Sequence, residues 1–225
     1  MASIEPAIHR SAVVPPRGAA ISGVVFAVLT IIGLGLVRYA VPNDLRNPGV
    51  WMIEPEHKRA ILFAVALVPF AGIAFLWFIG VLRNRLAELE DQFFSTIFLG
   101  SGLLFIATLF AAATVTDALI RSVADGNMDG ELYNFGRSIS DVLLNLFAMK
   151  MAGVFMFSTC TIALRTEIFP RWVAFIGYLS AILLLVIIAN WKWIALVFPA
   201  WMLILSGHIL LAEFRSRHLS AASSL

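Results

Sequence analysis

The chain has 225 residues, of which 60% are hydrophobic and 13% charged. Soluble domains carry about 25% charged residues, so this composition is that of a membrane protein and argues against any sizeable soluble domain. A net charge of +2, with its 16 Lys and Arg residues scattered through the connections, excludes a nucleic-acid face, and the single cysteine, Cys160, excludes an intramolecular disulfide.

Residues 1–17 form a polar arm containing Pro6, Pro15 and Pro16. It is not a secretory signal, because the apolar stretch after it is too long and lacks a small-residue cleavage site. Six apolar stretches follow, at about 19–41, 60–82, 93–120, 141–164, 172–189 and 194–211. Most are near the roughly 20 residues that cross a bilayer. They predict an all-α polytopic bundle of six transmembrane helices in one domain, residues 18–213, ahead of a polar tail at 214–225.

Gly23, Gly33 and Gly35 in the first span permit close backbone approach. Pro69, near the middle of the second, frees the Val65 carbonyl and predicts a kink. The third span turns rich in Ala and Thr from Ala107 to Thr116 and ends at Asp117. The segments Pro42–Arg59 and Arg121–Ser140 are expected to be long connections, and Pro199 lies a few residues into the last span. Trp51, Tyr133, Trp191 and Trp193 are expected as interfacial anchors by residue type. Six spans put both termini on one side. With that side cytoplasmic, eight basic residues lie inside and seven outside, a slight positive-inside bias.

Lys150 is the charge this pattern must accommodate, since it falls about a third of the way along the fourth span. A lysine there is costly, by about 2.5–3.5 kcal/mol on insertion scales, so shielding by other helices is expected. Its side chain leans toward the helix N-terminus and can snorkel outward. Asp117, with Thr114 and Thr116, is the expected partner, in an ion pair that clamps the third span to the fourth. Asp141, nine residues away at 100° per residue, faces the opposite side and is expected as a helix cap. A substrate or proton site at Lys150 is the competing reading, and contact with a partner subunit the third. Asn145 and His208 are further candidates for proton or substrate contact, although a lone intramembrane histidine is more often hydrogen-bonded to a neighbouring helix.

No His, Cys and carboxylate cluster has metal-ligand spacing, and no nucleophile elbow, zinc-protease or phosphate-loop motif occurs, so neither a catalytic residue, a cofactor nor a metal is indicated. Gly100-Ser101-Gly102 reads as a packing notch rather than a nucleophile site. The turn Arg165-Thr166-Glu167-Ile168-Phe169-Pro170-Arg171-Trp172 followed by Gly177, and the second span ending in Leu82-Arg83 before a short charged link, resemble an uncharacterised bacterial family of six-helix integral membrane proteins, of the domain-of-unknown-function type. The resemblance covers about half the chain. It implies a fold and an inner-membrane location, and carries no activity or site residues.

Three classes of function follow. The first is an accessory or structural subunit of a larger membrane complex. The second is a small transporter or channel built on Lys150, Asp117 and His208, with the second and sixth spans, kinked at Pro69 and Pro199, opening a path. The third is a membrane enzyme acting on lipid or quinone, which lacks clustered polar residues. The expected partners are the lipid bilayer and protein subunits, a homo-oligomer being allowed, with no nucleic acid.

Overall fold

The computed structural model describes residues 17–41, 54–86, 92–124, 129–166, 171–186 and 193–222. Among these every element is helical: α1 Arg17–Ala40, α2 Pro55–Leu86, α3 Gln92–Ala124, α4 Gly130–Val142, a π-helical segment Leu143–Ala148, α5 Met149–Thr166, α6 Arg171–Val186, a 3-10 turn Ile194–Leu196, and α7 Val197–Ala222. Five helical stretches are long and apolar enough to cross a bilayer. The sixth apolar helix, α6, has 16 residues. At 1.5 Å per residue its described part is about 24 Å long, against a hydrocarbon core about 30 Å thick. The chain is therefore a helical bundle of the membrane-protein class.

Seven phenylalanines set the packing of one half of the bundle. Phe26, Phe75, Phe78, Phe98, Phe105, Phe155 and Phe198 are all buried, and they come from α1, α2, α3, α5 and α7. Phe75 is their hub, with ring centroids 4.7 Å from Phe26, 5.3 Å from Phe105, 5.0 Å from Phe155 and 5.7 Å from Phe198. Small residues let the helices close around these rings. A Cβ at Gly102 would collide with Ile79 and press on Phe155, and one at Gly177 would run into Cys160 and Trp201. Lipid is as apolar as leucine, so this half is held by interdigitated contact rather than by escape from water.

The segment expected as the second long connection is instead mostly helix. α3 runs on to Ala124, and α4 begins at Gly130, capped by Asp129, whose carboxylate accepts from the amides of Glu131 and Leu132 at 2.9 Å each. Asp129 therefore takes the capping role expected of Asp141. From Gly130 to Arg165 the chain is a single helical stretch of 36 residues, about 54 Å long, more than the membrane requires. Tyr133 is buried beside Leu119 and Ile120 rather than anchored at an interface. Trp51 and Trp191 lie outside the described residues, whereas Trp193 is exposed beneath the Arg38 guanidinium, 5.3 Å from its ring centre.

Pro69 lies inside α2, as expected. Pro199, by contrast, sits in the first turn of α7, where an amide is spare and proline needs no kink. The picture of two matched proline kinks opening a path is therefore corrected at the second of them.

Candidate functional site

Above the phenylalanine cluster the helices part. α1 packs along α2 and α7, and α4 along α3, while α1 and α4 stand away from each other. Between them is a cavity of about 230 Å³. Its walls are small and apolar: Gly33, Ala64, Ala71, Ala112 and Ala113, with Leu29, Val68 and Leu109 toward the phenylalanines. The far end is closed by a second, smaller cluster in which Ile61, Leu119 and Tyr133 meet Ala40 and Ile120.

Apart from Thr30 on α1, whose hydroxyl donates to the Phe26 carbonyl, the polar groups of the cavity come from one face of α4 and the facing turn of α3. Tyr133, Arg137, Ser140, Asp141 and Leu144 all line it, at spacings of four, three, one and three residues, so they share a side of the helix. Across from them, Thr116 and Ser140 hydroxyls meet at 2.8 Å, and both reach the carbonyl of Ala112, at 2.9 and 3.1 Å. This small network ties α4 to α3. Asp141 accepts from the Asn145 amide at 2.7 Å and acts electrostatically on Arg38. Among the described residues, neither the Tyr133 hydroxyl nor the Arg137 guanidinium makes a hydrogen bond or ion pair, although Tyr133 is only 3% exposed. Opposite them, Pro69 removes the amide that would bond the Val65 carbonyl, and Val65 is part of the wall.

The π-helical segment explains why α4 and α5 face different neighbours. Its i→i+5 bonding widens the turn and admits an extra residue, so side chains after it rotate relative to those before. Extrapolating from Asp141 to Lys150 at 100° per residue crosses this segment and loses register. Lys150 consequently meets α6, where its ammonium donates to the carbonyls of Leu184 at 2.9 Å and Leu185 at 2.6 Å. These carbonyls lie in the last described turn of α6, so the Lys150 ammonium ties α5 to α6.

The expected pairing of Lys150 with Asp117 is thus replaced on both sides. Asp117 accepts from Arg121, one turn along α3, at 2.7 and 3.3 Å. Thr114 turns its hydroxyl to the Phe110 carbonyl, and Thr116 joins Ser140 instead of Lys150. His208 lies away from the cavity, its ring edge-on to Trp172 at 5.9 Å. Ser101 donates to the Ile97 and Phe98 carbonyls, in keeping with a packing notch. Among the described residues no group of His, Cys, Asp or Glu could hold a metal ion.

Of the residues singled out in the sequence, Gly33, Thr116, Tyr133 and Asp141 line the cavity, although Tyr133 was expected as an interfacial anchor and Asp141 as a helix cap, and Asn145 touches its edge through Asp141. Arg137 and Ser140 were missed. The available signal was the 133, 137, 140, 144 spacing behind a capping aspartate. No family model, curated protein or solved structure matches the chain.

Proposed function

We propose that the protein is a six-span bacterial inner-membrane protein with cytoplasmic termini, sharing the architecture of the six-helix family that its Arg165–Trp172 turn resembles. It serves as a non-enzymatic binding subunit of a larger membrane assembly, and it holds one amphipathic molecule in the cavity between α1, α2, α3 and α4. The observation that carries this reading is the cavity itself, apolar along its length and polar at one end. Ligand sites combine apolar walls with a few convergent polar groups in the same way. In this orientation the cavity occupies the outer half of the bundle. The phenylalanine-filled inner half favours holding a molecule over passing it through, because a channel would have to part seven buried rings.

Gentle extraction from native membranes followed by native mass spectrometry tests this. The expected result is the protein together with other polypeptides and with one small amphiphile per chain. Gly33→Leu, which places a side chain in the cavity, should remove the amphiphile while leaving the polypeptide association intact. Recovery of the native protein alone and empty would sink the reading.

A further inference from the structure

The end wall of the cavity says what kind of headgroup it suits. Tyr133 and Arg137 are one helical turn apart on the face of α4 that lines the cavity, and among the described residues neither polar group is engaged. Tyr133 is 3% exposed as a residue, and a tyrosine so placed normally finds a partner for its hydroxyl. Arginine beside apolar walls normally finds a carboxylate or phosphate. Asp141, in the same wall, does not take this place. Its carboxylate accepts from Asn145 and faces the charge of Arg38. Arg137 and Asp141 are the charged groups of the wall, and with Asp141 held by Asn145 the Arg137 guanidinium and the Tyr133 hydroxyl are its unengaged donors.

The size of the cavity limits the rest of the molecule. About 230 Å³ is roughly eight water volumes and lies below the roughly 300–1,000 Å³ of ordinary ligand pockets. It accommodates a headgroup with part of one chain, the rest lying beyond its open side, and has no room for two acyl chains side by side.

We propose, building on the binding reading above, that the occupant is a single-chain amphiphile with an anionic headgroup, a carboxylate or a phosphate, held by Arg137 and Tyr133 with its chain running along Gly33, Ala64 and Ala112 toward the phenylalanine cluster. Thr116 and Ser140, bonded to each other and to the Ala112 carbonyl, fix the position of α4 and so of the two donors.

The test uses the full chain in nanodiscs of zwitterionic lipid, titrated with oleate, dodecyl phosphate, oleyl alcohol and a two-chain phosphatidylglycerol. Oleate or dodecyl phosphate should saturate a single site, with oleyl alcohol weaker by roughly tenfold or more, since charge-assisted hydrogen bonds are the stronger ones. The better of the two anions identifies the headgroup, and phosphatidylglycerol should not compete. Arg137→Gln should erase the preference for the anion without abolishing alcohol binding, Arg137→Lys should keep part of it, and Tyr133→Phe should weaken the anion several-fold. Equal binding of alcohol and anion by the native protein, or an anion preference that survives in Arg137→Gln, would overturn the headgroup assignment and leave the cavity reading standing. Failure of every single-chain probe to bind would overturn both, and tighter binding of phosphatidylglycerol would overturn the one-chain assignment alone.

Discussion

The two halves of this bundle share α1, α2 and α3 and solve opposite problems. Around Phe75 five helices bring rings together at 4.7–6.3 Å, and small residues are spent on bringing helices closer. Around Gly33 the small residues open space instead. The difference comes from what occupies the position opposite each small residue. Gly72 and Gly102 face Phe110 and Phe155, whereas the nearest atom to a Cβ on Gly33 would be the Ala64 carbonyl oxygen at 3.8 Å. A glycine in a membrane helix is thus a packing device or a pocket wall according to its neighbour, and the residue type alone does not decide between them.

The sharpest way to break this comparison is to remove the hub of the filled half. Phe75→Ala deletes contacts with five other rings, and large-to-small changes of this kind cost about 3–5 kcal/mol in water-soluble cores. In a bilayer the lost packing and the cavity left behind supply the cost, since lipid replaces water as the alternative solvent. The expected outcome is loss of about 3 kcal/mol or more, read from equilibrium unfolding in mixed micelles. Tolerance of Phe75→Ala at less than about 1 kcal/mol would mean that the filled half is not the stable half.

Lys150 probes the tie between α5 and α6. Lys150→Met keeps the stem and removes two donors from the Leu184 and Leu185 carbonyls. Hydrogen bonds to a charged group contribute about 1.5–3 kcal/mol. Hydrogen exchange should speed up in the last turn of α6 before it does in α2. Uniform acceleration across the bundle would show instead that Lys150 acts on the whole fold.

How much of this was legible in the chain depends on the kind of signal. The positions of the apolar helices were, because about 20 apolar residues leave a membrane helix few alternatives. Which face of each helix points inward was not. A span that is apolar on all sides has little amphipathic contrast, so nothing marked Phe75 as hub and Phe70 as exposed. α4 was readable but was read as a connection. Glu131, Asn134, Arg137 and Ser138 make it polar overall, while Tyr133, Gly136 and Ser140 carry a helical period. The partner of Lys150 was beyond reach because the π-helical segment rotates α5 and turns the lysine to α6. That rotation leaves no mark in composition.

The smallest expected effect makes the finest distinction, because it applies one chemical change to both halves. Gly177→Ala adds a methyl group that would meet Cys160 Sγ and Trp201 Nε1, so neighbours in the filled half must move. Overpacking costs about 1–3 kcal/mol, which outweighs the helix-propensity gain of about 0.5–1 kcal/mol. At Gly33 the same methyl group makes ordinary contact with one backbone oxygen and otherwise faces the cavity. Only the propensity gain then remains, and Gly33→Ala should stabilise the protein by about 0.5 kcal/mol or slightly more. Because the methyl group occupies little of the 230 Å³, ligand binding should persist in Gly33→Ala and disappear in Gly33→Leu. Opposite signs for the two alanine variants in the same unfolding assay would establish that α1 borders open space where α6 borders packed side chains. Equal destabilisation would mean that the cavity closes when the protein sits in lipid, and the division between a filled and a hollow half would go with it.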